Sequence, residues 1–201
     1  MPEPTPLKGG FVHFDSSTKM GRIVAFQFNP ESLERITVPA DSVNQRKEVI
    51  EFTLEFDATD ALERGDPTTA EFGIHPALAA LEMLLQTSSD GAANLSSTTP
   101  GSTVEAKPFT LFVWGSQRVI PIKFTQLETH ETMFDSQLNP LRATVHVSLE
   151  ILSEAELKAN PRAQTFMDSY LKKKEWLAEQ PGSSGPTEGL MAAARLNAPS
   201  G

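Results

Sequence analysis

The sequence predicts a β-rich α+β fold: an antiparallel sheet or barrel, one packed internal helix and a helical C-terminal extension. Three observations carry this prediction. Ile50, Phe52, Leu54, Phe56 and Ala58 alternate with Glu51, Thr53, Glu55 and Asp57, the period-two pattern of a half-buried strand. Ala143, Val145, Val147, Leu149 and Ile151 alternate with Thr144, His146, Ser148 and Glu150 in the same way. Between these runs Leu78, Leu81 and Leu85 fall on one helical stripe, with Pro76 tolerated near the helix start.

Taken in chain order, Pro2, Pro4 and Pro6 predict a flexible N-terminus over residues 1–8. RIVAFQF at 22–28 reads as a strand ending at Asn29-Pro30, and the clearest strand follows at 46–57. The helical stripe covers 74–86. Residues 88–107 (SSDGAANLSSTTPGSTVEAK) read as a long Ser/Thr/Gly-rich interruption. Strands are then expected at 109–114, 119–130 and 141–152, the first two joined by a hairpin turn at Gly115-Ser116-Gln117. Ser153 with Glu156 three residues later is a capping-box pattern. Asn160-Pro161 opens a second helix carrying Phe166, Tyr170, Trp176 and Leu177, with Lys172, Lys173 and Lys174 towards its C-terminal half. The segment 181–201, with Pro181, Pro186 and Pro199, reads as a disordered tail whose LMAAARL stretch is too short to be a stable helix alone. The organisation is therefore one β domain over 9–152, helices over 153–180, and two unstructured ends.

Composition narrows the function classes. The chain has 201 residues, and 17 Lys plus Arg against 26 Asp plus Glu give a formal charge of −9. That balance disfavours nucleic acid, whose binding depends on clustered cations, and disfavours an anionic membrane surface. With no cysteine there is no disulfide framework, thiolate zinc site or cysteine nucleophile. No apolar run reaches the roughly 20 residues of a membrane-spanning helix. MPEPTPLKGG lacks the charged-then-apolar pattern of a signal peptide.

No two of His13, His75, His130 and His146 have the i, i+4 spacing that presents a pair to one metal. Asp57, Asp60 and Asp66 in FDATDALERGD lack the alternating ligands, central Gly and terminal Glu of a calcium loop. Asp60 reads instead as the N-cap of Ala61-Leu62-Glu63, and Asp57 as an outward residue at a strand end. There is no nucleophile elbow and no phosphate-binding loop. No catalytic residue, cofactor or metal site is assigned. What remains is a surface: between Arg46 and Glu71 eight acidic residues face three basic ones. The plain reading is a solvated strand face. The sharper one is an acidic wall facing a lumen or a basic partner, for which Glu51, Glu55, Asp57 and Asp60 are the candidate lumen or interface residues.

Four motifs then occur in succession: FQFNPESLER at 26–35, FTLEFDATDALERGD at 52–66, GIHPALAALEMLL at 73–85, and FVWGSQRVIPIKFTQLETHETMFDSQLNPLRATVHVSLEIL at 112–152. This order resembles the tube-type N-terminal domain of contractile injection system proteins, components of phage-tail-like particles. The resemblance spans about residues 21–154. It implies a sandwich- or barrel-like domain with a flanking helix that associates as a sixfold homo-oligomeric ring through sheet edges. It implies a structural, non-enzymatic role as a baseplate adaptor between the inner tube protein and the spike or hub protein. Assembly would begin in the cytoplasm, in a particle later released or docked at a membrane. Such proteins often carry a LysM module after this domain; here two candidate helices and a tail stand in that place. A tube-initiating ring or a cap-side terminator adaptor therefore remains open as a position in the particle. A cell-wall carbohydrate-directed module is the alternative of another class, for which Glu55, Asp57 and Glu128 are the first residues to mutate.

Overall fold

The computed structural model describes residues 7–15, 20–39, 46–93 and 107–180. Of the segments expected to lack structure, 1–6, 94–106 and 181–201 lie outside the described residues. The strands are β1 (Gly10–Phe14), β2 (Met20–Ala25), β3 (Glu34–Pro39), β4 (Arg46–Asp57), β5 (Phe109–Trp114), β6 (Arg118–Phe134) and β7 (Pro140–Ile151). The helices are α1 (Thr59–Glu63), α2 (Pro67–Phe72), α3 (His75–Ala93), α4 (Glu154–Lys158) and α5 (Pro161–Ala178). The protein is thus α+β and β-rich.

Among the described residues the seven strands form one sheet in the order β2-β1-β5-β6-β7-β4-β3. Every neighbouring pair is antiparallel. The register Phe52↔Val147 and Leu54↔Val145 puts the two alternating runs side by side, with their apolar members on one face. Ile50, Leu54, Val145 and Leu149 are at most 2% exposed. Burying such side chains contributes roughly 1.5–3 kcal/mol each.

The sheet curls strongly. Phe11 on β1 and Phe52 on β4 are separated by β5, β7 and the long β6, yet their rings lie 6.4 Å apart. Phe26, Phe112 and Phe124 complete this aromatic centre around Phe11. A register shift at Thr125, between Phe124 and Gln126 of β6, marks a bulge of the kind that bends a strand. The Gln27 side chain donates to the Asp57 carbonyl at 2.6 Å and accepts from the Asp57 N–H at 3.0 Å, pinning the chain after β2 to the end of β4.

Helix α3 packs Leu78, Leu81 and Leu84 into this core, against β5, β6 and β2, while Leu85, expected on the same stripe, is only partly buried. Helix α4 opens with the expected box: the Ser153 hydroxyl accepts from the Glu156 N–H, and the Glu156 carboxylate accepts from the Ser153 N–H. Asn160 caps α5 through the Ala163 N–H, and its amide also donates to the Lys107 carbonyl at 2.8 Å. On α5, Phe166 meets the rings of Phe14 and Phe109, and Arg162 lies 4.3 Å over Phe14. The Tyr170 hydroxyl accepts from Arg35 at 3.0 Å.

The structure corrects several expectations. The first predicted strand runs over Met20–Ala25 rather than 22–28, because Phe26 turns its ring inward and its N–H donates to the Gly9 carbonyl. Helix α3 continues through residues 88–93, where a Ser/Thr/Gly-rich interruption is expected; once nucleated, a helix extends at little cost per residue. Asp60 is not an N-cap: α1 starts after Ala58 without a side-chain cap, and Asp60 is exposed in the first turn. The cap in this region is Asp66, which accepts from the Thr69 N–H at 2.7 Å ahead of Pro67 and starts the unpredicted helix α2. β6 passes His130 to reach Phe134, because β7 supplies a partner as far as Phe134↔Pro140. On α5, Tyr170 is buried, but Trp176 and Leu177 are exposed.

Candidate functional site

The sheet face turned away from Phe11 and Ile50 is polar across β4, β7 and β6, and register aligns it in rungs. Glu51 stands beside Ser148 and Gln126, Thr53 beside His146 and Glu128, Glu55 beside Thr144 and His130, and Asp57 beside Arg142 and Thr132. Cross-strand bonds tie the rungs: the Ser148 hydroxyl donates to Glu51 at 3.2 Å, and Thr53 Oγ1 lies 2.9 Å from His146 Nδ1. A shallow polar trough of about 330 Å³ opens over Glu51, Thr53, Gln126, His146 and Ser148, with Glu34 of β3 at its side.

This face is less uniformly acidic than its β4 residues suggest. Arg142 binds Asp57 at 2.6 Å, Lys47 binds Glu150 at 2.6 Å, and Lys123 bridges Glu150 at 3.2 Å and Glu156 at 2.8 Å. The Thr59 hydroxyl and N–H, and then Arg142, hold the Asp57 carboxyl below the usual carboxylate range. Partial burial opposes the charge of Lys123, but Glu156 and Glu150 outweigh it and raise its pKa. Of the four acidic residues singled out in the sequence, Glu51, Glu55 and Asp57 share the face, while Asp60 lies beyond the strand on α1. His130 and His146, read from sequence as isolated, stand on the same face as Glu128. Strand pairing brought them together, and sequence spacing carried no sign of it.

The two edge strands matter as much as the face. Met20 and Ile23 on β2 are 58% and 61% exposed, and Ile36 on β3 is 42% exposed. Ile23 pairs with Val12 and Ile36 with Val49, so both edges present apolar side chains on the face opposite Phe11 and Ile50. Unpaired strand edges are templates for further pairing, which proteins otherwise blunt with charge or cover.

The β6–β7 turn, residues 135–139, projects Leu138 at 78% exposure beside Met133 and Phe134. At the open end of the same hairpin, a largely apolar cavity of about 440 Å³ is walled by Phe109, Ile122, Leu152 and α4. His13 reaches this cavity with its Nδ1 3.1 Å from Thr110 Oγ1, and burial lowers its pKa. Among the described residues no group of three His, Asp or Glu is placed to hold a metal ion. No helix among them is long and apolar enough to cross a membrane.

Compared with known proteins, the chain matches no protein-family model and no curated relative. The functional reading accordingly rests on the geometry above and on the motif order in the sequence.

Proposed function

We propose that the chain is a structural ring subunit of a contractile injection, phage-tail-like particle, acting as a baseplate adaptor between inner tube and spike hub. The observation that carries the proposal is an antiparallel sheet whose two edge strands expose apolar residues on the same face. Seven strands joined by six antiparallel pairings begin and end in the same direction, so β2 and β3 run parallel. A rotational operator preserves strand direction. Copies arranged around a ring axis therefore bring β3 of one beside β2 of the next as a parallel pair, with Met20, Ile23 and Ile36 on a common surface. Such a heterologous contact generates a ring when its rotation closes. In this reading the curled sheet is the barrel-like, tube-type domain, the β4–β7–β6 face lines the lumen, and α5 flanks the sheet. The role is assembly and shape, with no substrate turned over.

Native mass measurement and negative-stain imaging of the purified chain test the proposal. Closed rings of about six copies are expected. Ile23→Lys or Ile36→Lys should each abolish the closed ring while the chain stays folded, because a charge on an edge strand opposes pairing. A wild-type chain that remains a single copy at all concentrations overturns the ring. The polar trough at Glu51, Thr53, Gln126, His146 and Ser148 favours a second reading, a carbohydrate-directed surface. Saturable binding of peptidoglycan fragments, lost in Glu51→Gln, would select that reading.

A further inference from the structure

The closed end of the β6–β7 hairpin is built as a rigid apolar knob. Met133 and Leu138 hold φ angles of 55° and 66°, a backbone region that normally favours glycine. A dense network over-determines the turn. Asp135 Oδ1 accepts from the Gln137 and Asn139 N–H groups at 2.8 Å each, and its Oδ2 accepts from the Asn139 amide at 2.8 Å. The same amide donates to the Glu71 carbonyl at 3.0 Å, and the Ile74 N–H donates to the Pro140 carbonyl at 2.9 Å, locking the turn onto α2 and the start of α3. The outcome is Met133, Phe134 and Leu138 at 59%, 50% and 78% exposure, with Phe72 at 45% on the adjoining helix. Apolar side chains displayed by a backbone held at some cost point to a contact.

The open end of the hairpin offers a matching hole. The cavity of about 440 Å³ has an apolar wall from Pro108, Phe109, Ile122 and Leu152, and the exposed Ala155 and Ala159 form its other side. A cavity of roughly 150 Å³ already admits a benzene ring, so this one has room for Phe134 and Leu138 together. Charge adds a modest bias: Glu131 and Asp135 flank the knob and Lys107 lines the hole, where Lys123 is already paired with Glu150 and Glu156. Knob and hole lie about 12 residues apart along β6, on the order of 40 Å of strand, so one chain cannot fill its own hole with its own knob.

We propose that the knob of one copy seats in the cavity of a second copy, a head-to-tail contact that stacks copies along an axis. Such a contact leaves a free knob at one end and a free hole at the other, so it extends rather than closes. It deepens the ring reading by supplying the axial contact between rings, and rests on that reading only for what is stacked, rings or single copies.

Sedimentation velocity on the full chain tests it with one variant on each side, Leu138→Asp in the knob and Ala159→Trp in the hole. Both positions are exposed, and unchanged thermal melting checks that each variant folds. Phe134→Ser and Ala155→Trp serve as second variants. The wild type should grow with concentration beyond its basic unit, and each variant should weaken that growth at least 30-fold. An equimolar mixture of the two variants keeps one good knob and one good hole, so it should pair and stop. Paired rings are expected if the ring reading holds, and paired single copies if it fails. The proposal is overturned by a wild type that does not grow or by a mixture that does not pair. Variants that stack like wild type overturn it as well, as they would if residues 94–106 or another part of the chain fills the hole.

Discussion

Asp57 closes β4 with one carboxylate oxygen on Thr59 and the other on Arg142. A local side-chain cap is worth about 1 kcal/mol and a partly exposed ion pair up to about 1 kcal/mol. Asp57→Ala should therefore lower stability by about 1–2 kcal/mol in urea unfolding, while Glu55→Ala on the same face should change it by less than about 0.5 kcal/mol. His13 sets a pH dependence of definite sign. Burial lowers its pKa in the folded chain, with Asp15 acting against this and Arg22 adding to it. The unfolded chain therefore takes up the proton first, near pH 6.5, and stability falls as pH drops below that value until the folded pKa is reached. The expected result is a fall in Tm between pH 7.5 and 5.5 that is smaller in His13→Gln. Asp57, Asp66 and Asp135 behave as the usual carboxylates, their pKa values lowered by Thr59, Thr69 and Asn139 respectively. Their contribution is present above about pH 4 and is lost as pH falls through the folded values. Leu138 is the opposite kind of residue. Its positive φ costs roughly 1–2 kcal/mol, so Leu138→Gly should leave the fold unchanged or more stable by about 1 kcal/mol, while weakening stacking.

Among the elements, those with a local signature were legible and those defined by a partner were not. The box at Ser153 and Glu156 and the Asn160-Pro161 start of α5 are local chemistry, and both stand where the sequence placed them. Asn160 is 3% exposed and also holds the Lys107 carbonyl, so Asn160→Ala should cost about 2–3 kcal/mol, more than the roughly 1 kcal/mol of Ser153→Ala. Differential scanning calorimetry of the two variants checks the order. The Asp66-Pro67 start of α2 carries the same kind of local signal, a side-chain cap followed by proline at the first helical position. β1 and β3 are short, five and six residues, and owe their strand character to β5 and β4 beside them. Gly73 shows the tertiary constraint most sharply. It has φ of 58°, and a Cβ there would stand 2.2 Å from the Pro140 carbonyl oxygen. Gly73→Ala should destabilise by at least about 2 kcal/mol, through both strain and displacement of the β7 start.

At the scale of the whole molecule, the curl of the sheet joins core and surface. Phe11 meets Phe26, Phe52, Phe112 and Phe124, so Phe11→Ala should cost about 3–5 kcal/mol and abolish assembly together with folding. The edge variants Ile23→Lys and Ile36→Lys should instead abolish ring closure with Tm nearly unchanged, a separation that calorimetry and mass measurement read side by side. The sequence by itself determined the β-rich class, the central strands β4 and β7, the core stripe of α3 and both C-terminal helix starts. Period-two and helical apolar patterns report burial directly, and caps and turns depend on residues within four positions of each other. Only the tertiary structure decided the strand order and the gathering of His130, His146 and Glu128 beside the β4 acids. It alone paired Asp57 with Arg142 and Glu150 with Lys123, and set the knob and the hole at opposite ends of one hairpin. These depend on which distant strands pair and in what register, and that choice is made by the collective packing of aromatic rings far apart in the chain.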